Sequence, residues 1–189
     1  RNEYCLYIGI PFCPTRCLYC SFTSYPIGVY KDKVDAYLDT MEKEMEYVAA
    51  SYTEKKLVSI YIGGGTPSSI SAEQMDRLCS MIEKHFDLSQ VREYTIEAGR
   101  PDSTTADKLQ VMKAHGVGRI SINPQTMNDA TLTRIGRAHT AKQTVEAYEL
   151  ARSIGFDDIN MDVIAALPGE DYAMFAHTLA EIRSLRPES

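Results

Sequence analysis

The sequence predicts an α/β fold, a partial (β/α) barrel with about five parallel strands, and three observations carry that expectation. First, short β-prone apolar runs alternate with longer segments whose apolar residues recur every three or four positions, the rhythm of parallel βαβ units. Second, the strands do not read as the continuous apolar runs of a sheet covered on both faces. Ser59/Tyr61, Thr95/Glu97, Ser121/Asn123 and Asn160/Asp162 place polar groups at alternate positions, and therefore on one face. Third, a cysteine loop, a glycine loop, Glu97, Gln125 and Asp162 all fall at or near strand C-terminal ends, where barrels carry their sites. An open doubly wound sheet is the competing architecture. Helical crossovers would leave such a sheet little polar face, so a lumen that holds a polar ligand accounts better for the alternation.

The elements follow in order. Tyr4 to Ile10 is the first strand, bounded by Pro11 and followed by the cysteine-rich loop and a turn at Pro26 and Gly28. From Lys31 to Tyr52, the residues Val34, Leu38, Met41, Met45 and Val48 mark one face of an amphipathic helix. Met41 and Met45 are expected in the core at that spacing. Leu57 to Ile62 is the second strand, stopped by Gly63-Gly64-Gly65. Ser71 with Gln74 forms a capping box that opens the next helix, which runs to about Phe86. Glu93 to Ala98 is the third strand, and a helix from about Thr104 closes at Gly116, a left-handed C-terminal cap. Arg119 to Asn123 is the fourth strand, followed by a short helix from Asn128 to Gly136. Thr140 with Gln143 caps a helix that stops at Gly155, Asp158 to Ile164 is the fifth strand, and Tyr172 to about Leu185 forms the last helix.

At 189 residues the chain is one domain by length, and no apolar run approaches the ~20 residues of a membrane span. A net charge of −6 argues against a general binder of nucleic-acid backbones. The N-terminal residues lack the basic flank and cleavage site of a signal peptide. The odd count of five cysteines, three of them within eight residues, speaks against a disulfide framework and for a reducing, cytoplasmic setting.

Cys13, Cys17 and Cys20 form C-x3-C-x2-C directly after the first strand. Three thiolates on one tight loop suit an iron–sulfur cluster, in which three protein ligands leave one iron of a four-iron cubane open to substrate or cofactor. Zinc would need a fourth ligand, and the next histidine is the distant His85. Three inert thiols within eight residues, flanked by Pro11 and Pro14, would make unusual core packing. Cys5 and Cys79 read as core residues, and His139 at a helix start reads as an exposed polar side chain.

With Tyr19 before the last cysteine, this loop resembles the hallmark of the radical S-adenosylmethionine (radical SAM) superfamily. The resemblance implies a [4Fe–4S] cluster whose open iron is chelated by SAM, and it implies the same partial barrel. Tyr7-Ile8-Gly9-Ile10-Pro11-Phe12-Cys13, Tyr61-Ile62-Gly63-Gly64-Gly65-Thr66-Pro67 and Arg119-Ile120-Ser121-Ile122 with Gln125 are similar to the oxygen-independent coproporphyrinogen III dehydrogenase (oxidase) family. Glu97-Ala98-Gly99-Arg100-Pro101-Asp102 and Asn123-Pro124-Gln125-Thr126 resemble its HemZ-like branch. By that resemblance Gly64, Gly65 and Thr66 receive the methionine amino group of SAM, Glu97 accepts a hydrogen bond from SAM, and Arg137 clamps its carboxylate. Gln125 and Asp162 contact its ribose or methionine portion, Tyr7 contacts it from the first strand, and Tyr19 packs on the cluster or cofactor.

The activity so implied is oxidative decarboxylation of coproporphyrinogen III propionates to vinyl groups, giving protoporphyrinogen IX. The partners implied are a porphyrinogen, a flavodoxin- or ferredoxin-like electron donor and an electron acceptor. A haem-handling relative without that reaction is the alternative. The best-characterised dehydrogenases carry a further cysteine where this chain has Phe22, and Ala166-Leu167-Pro168 replaces glycine-leucine-proline. The family continues into a sixth strand beyond Ser189, so residues 1–189 are expected to be an excised radical SAM core, able to hold a cluster yet turning over poorly.

Overall fold

The computed structural model describes residues 2–189. Five parallel strands, β1 (Glu3–Ile10), β4 (Lys56–Gly64), β5 (Glu93–Gly99), β6 (Arg119–Ile122) and β7 (Asp158–Asn160), lie in the order β1-β4-β5-β6-β7. Spatial order equals chain order, so the winding never reverses. A doubly wound sheet reverses at a switch point; this one continues in one direction, as a barrel wall does. The helices α2 (Val34–Ser51), α3 (Ala72–His85), α4 (Ala106–Ala114) and α6 (Ala141–Ile154) pack as neighbours along the sheet, α2 on α3, α3 on α4 and α4 on α6. The helices α5 (Asp129–Arg134) and α7 (Tyr172–Leu185) complete the alternation.

Register sorts the strand residues into two faces. Tyr7 pairs with Tyr61, Tyr61 with Thr95, Thr95 with Arg119, and Ser121 with Asn160, which makes one polar face. Ile8, Ile10, Ile60, Ile62, Ile96, Ile120, Ile122 and Ile159 occupy the opposite face and form the core with Leu38, Leu78, Met112 and Phe156 from the helix side. Burial of each such side chain stabilises the fold by about 1.5–3 kcal/mol relative to exposure. Met41, Met45 and Cys79 join this core, as their spacing requires.

Both capping boxes are present: the Ser71 and Thr140 hydroxyls accept from the N–H groups of Gln74 and Gln143, whose side chains return the bond. Gly116 and Gly155 take positive φ at their helix ends, 76° and 101°. Among the described residues, no helix is long and apolar enough to cross a membrane.

Four expectations need correction. The turn at Pro26 and Gly28 is instead a second small sheet, β2 (Phe12–Cys13) with β3 (Tyr25–Pro26), followed by the single-turn helix α1 (Ile27–Tyr30). The fifth strand ends at Asn160 rather than Ile164; past it only an isolated Gln125–Val163 bridge remains, because Gln125 sits at a positive φ of 65° that breaks the ladder. Cys5 is exposed, not core, since it shares the polar face with Ser59 on an edge strand with no further strand beside it. His139 is buried, with 2% of its surface exposed.

Candidate active site

The C-terminal ends of the strands deliver their side chains to one cleft of about 280 Å³. Cys13, Cys17, Cys20, Tyr19, Gly64, Gly65, Thr66, Glu97, Gln125, Arg137 and Asp162 all line it. Tyr7 does not. It lines an adjoining cavity of about 320 Å³ with Tyr61 and Tyr37, and the two cavities share Phe22, Gly64 and Glu97.

The cysteine loop is held by bonds from distant parts of the chain. Leu18 N–H donates to Ile135 O at 3.0 Å, and the Thr15 hydroxyl reaches Gly136 O at 3.4 Å. Within the loop, Cys20 N–H donates to Cys17 O at 3.2 Å. Among the described residues, no group of three or more His, Cys, Asp or Glu side chains is placed to hold a single metal ion. A zinc ion would require such a set, whereas a cubane takes each thiolate on a different iron. Cys13, Cys17 and Cys20 line one cleft, and three thiolates are the donor set of a cubane with one open iron.

The glycine loop closes against that cysteine loop. Gly65 N–H donates to Ile10 O at 2.8 Å and Thr66 N–H to Phe12 O at 2.7 Å. A Cβ on Gly65 would lie 2.7 Å from Phe12 O and 3.0 Å from Cys13 Sγ, so only glycine permits this approach. The Thr66 hydroxyl donates to Cys13 Sγ at 3.4 Å. Its hydrogen bond is thus directed at a candidate cluster ligand and not into free space. Burial pushes the Cys13 thiol above its usual pKa, with the Thr66 hydrogen bond opposing it. Tyr19 is raised likewise by burial, while the positive charge of Arg137 acts the other way.

Glu97, at the end of β5, accepts a hydrogen bond from the Tyr61 hydroxyl of the neighbouring strand. Burial raises the Glu97 carboxyl above the usual range, and the nearby Asp162 adds to the rise. Tyr61 is raised far above a normal phenol by burial and by this same carboxylate. Gln125 and Asp162 are tied together, Gln125 N–H donating to Asp162 O at 3.1 Å, while Asn160 Nδ2 donates to Asp162 Oδ1 at 2.9 Å. Asp162 thereby lies just beyond β7.

Arg137 is the most telling group. It is buried, and its Nη2 donates to Asn123 O at 3.3 Å, yet Nε and Nη1 have no partner among the described residues. Stranded buried donors on a charged group are costly. The arginine lines the same polar cleft as the three cysteines, and a guanidinium suits a carboxylate, so the residues present fit both a cluster and an amino-acid carboxylate beside it. Two neighbours escaped the sequence reading: Asn123, which occupies Arg137, and Arg100, whose side chain lines the cleft. The run Glu97-Ala98-Gly99-Arg100-Pro101-Asp102 contained the signal, since an arginine two residues before an aspartate is a ready intraloop pair.

Residues 7–182 match the family model of the radical SAM superfamily. The chain belongs to the radical SAM superfamily. Members of that family use a [4Fe–4S] cluster and S-adenosylmethionine, the two groups for which the cysteine loop and Arg137 are suited. The radical SAM chain is 46% identical over 192 residues to the oxygen-independent coproporphyrinogen-III oxidase-like protein HemZ of Bacillus subtilis, spanning 100% of this chain and 38% of HemZ. It is 40% identical over 183 residues to the heme chaperone HemW of the same organism, covering 96% of this chain and 48% of HemW. Among solved structures, the coproporphyrinogen III oxidase HemN of Escherichia coli, a radical SAM enzyme, superposes with a TM-score of 0.89 at 28% identity, over 100% of this chain and 43% of that one. The chain thus spans less than half the length of each of these relatives.

Proposed function

We propose that the chain is the cofactor-binding core of an oxidoreductase that decarboxylates coproporphyrinogen III propionates to vinyl groups. One geometric observation carries the cofactor half of this reading: the unpartnered Nε and Nη1 of buried Arg137 beside the three cysteines. The substrate half is supported by the likeness to HemZ over all of this chain. The cluster and SAM, when bound, would supply radical hydrogen abstraction at the propionate β-carbon, after which carbon dioxide would leave and the remaining electron would pass to an acceptor.

This chain's residues would bind, orient and exclude. Cys13, Cys17 and Cys20 would hold the cluster as its three protein ligands. Arg137 takes the SAM carboxylate, and the bare backbone of Gly64 and Gly65 admits its amino end. Gln125 and Asp162, already fixed to each other, orient the remaining polar groups. Tyr61 holds its proton toward Glu97, which keeps that carboxylate available as an acceptor. Tyr7 stacks on Tyr61 with ring centroids 6.1 Å apart, and both rings line the adjoining cavity. A flavodoxin- or ferredoxin-like donor would deliver the electron.

A second reading, haem handling without this reaction, draws on the 40% likeness to HemW and on Phe22, a 70% exposed side chain at the position where dehydrogenases carry a further cysteine. The test separates the two. The longer parent chain of which these residues are proposed to be the core is reconstituted anaerobically with iron and sulfide, and 5′-deoxyadenosine released from SAM is quantified with and without coproporphyrinogen III, with Cys17→Ala as control. Porphyrinogen-dependent release, lost in the control, is the expected result. Cluster-dependent release indifferent to the porphyrinogen would overturn the decarboxylase reading in favour of haem handling.

A further inference from the structure

Arg100 and Asp102 flank the cysteine loop, and nothing in the proposed reaction uses them. The β5–β6 register breaks between Ile96 and Gly99, and Gly99 takes a φ of 65°. Arg100 N–H then donates to Ala98 O at 2.7 Å, closing a tight turn after which the Arg100 side chain meets residues 15 and 17. That side chain is 4% exposed. Asp102 accepts from both Nε, at 3.0 Å, and Nη2, at 2.9 Å, a bidentate pair that fixes the plane of the guanidinium. The edge left over, Nη1, donates to Thr15 Oγ1 at 2.9 Å and Thr15 O at 3.2 Å, and lies 3.8 Å from Cys17 Sγ.

The orientation matters more than the net charge. Asp102 sits on the far edge of the guanidinium and the sulfur on the near edge, so the positive end faces Cys17. An arginine keeps its charge at every accessible pH. Positive charge and N–H donors at a cluster's sulfurs favour the reduced state, which carries one more electron.

We infer that Arg100, oriented by Asp102, is a positioning residue for the cysteine loop whose fixed charge at the Cys17 sulfur raises the reduction potential of a cluster held there. This inference rests on the reading that Cys13, Cys17 and Cys20 hold an iron–sulfur cluster. A purely structural latch would secure the loop without moving the potential.

The test is an anaerobic potentiometric titration, followed by electron paramagnetic resonance, of the chain reconstituted with iron and sulfide. The step read is one electron from dithionite to the oxidised cluster. Wild type, Arg100→Gln and Arg100→Lys are compared at equal iron loading. Arg100→Gln shifts the midpoint negative by about 59 mV, a tenfold fall in the reduced-to-oxidised ratio at fixed poise. Arg100→Lys, which keeps a charge but loses the fork, falls between. An unchanged midpoint in a fully loaded Arg100→Gln protein overturns the inference while leaving the cluster reading intact. Should Arg100→Gln fail to load, Asp102→Asn decides: it removes the counter-charge and leaves the arginine, so its midpoint is expected to move positive, and coincidence with wild type overturns the inference. A wild-type chain that takes up no iron and sulfide overturns the cluster reading itself, and this inference with it.

Discussion

Acidification from pH 7 to pH 5 probes the burial of His139. Its ring is 2% exposed, neither nitrogen has a partner, and burial, followed by the charge of Arg137, pulls its pKa from 6.5 down to about 4. The unfolded chain therefore takes up a proton as the pH drops through 6.5, while the folded chain refuses it until about 4. The unfolded state binds more protons across that window, so stability falls as the pH falls. Integrated from pH 7 to pH 5, the linkage amounts to about 2 kcal/mol. Urea unfolding followed by circular dichroism, on wild type and His139→Gln at both pH values, reads this directly. The difference between the two proteins cancels carboxylates that titrate in both. Wild type is expected to lose about 2 kcal/mol more than the variant on acidification. Equal losses would refute the reasoning and describe a histidine that water or a hydrogen bond reaches.

Three further outcomes follow from the same geometry. Arg137→Met removes a buried guanidinium with two stranded donors, which cost about 1–3 kcal/mol; the chain without cofactors is expected to melt higher, and calorimetry of the reconstituted protein to show SAM affinity lower by about 10- to 100-fold. Gly65→Ala puts a methyl group 2.7 Å from Phe12 O; unfolding stability is expected to drop by about 1–3 kcal/mol, with iron uptake reduced. Glu97 has a raised pKa, so the stability linked to its protonation is complete below the unfolded value of 4.5 and is lost as pH rises through the folded value. Glu97→Gln should accordingly gain on wild type between pH 4 and pH 8 in chemical unfolding, and a gap that does not change with pH contradicts this.

Much of the architecture was legible because its signals are local. A capping box declares itself within four residues, and both examples, at Ser71 and Thr140, are formed. Period-two alternation needs one strand at a time, and it assigned Tyr61, Thr95, Glu97, Ser121 and Asn160 to the polar face. What stayed hidden depends on distant partners. The β2–β3 pair joins two dipeptides, each adjoining or containing proline, too short to show any period. Cys5 has the composition of a core strand, and only its place at the sheet edge exposes it. His139 is buried by elements packed around it, which helix-start chemistry does not report. Arg100 looks like a turn residue between Gly99 and Pro101, and its contacts with Thr15 span 85 positions.

Those long spans set an order of assembly. The cysteine loop lies near the start of the described chain, yet the groups that hold it, Arg100, Ile135 and Gly136, arrive with β5 and with the turn after α5, up to 121 positions later. The three thiols precede these groups along the chain, so the loop takes its final form only when β5 and the turn after α5 have docked against it. A cluster held there would thus be received by a loop already docked against the wall behind it.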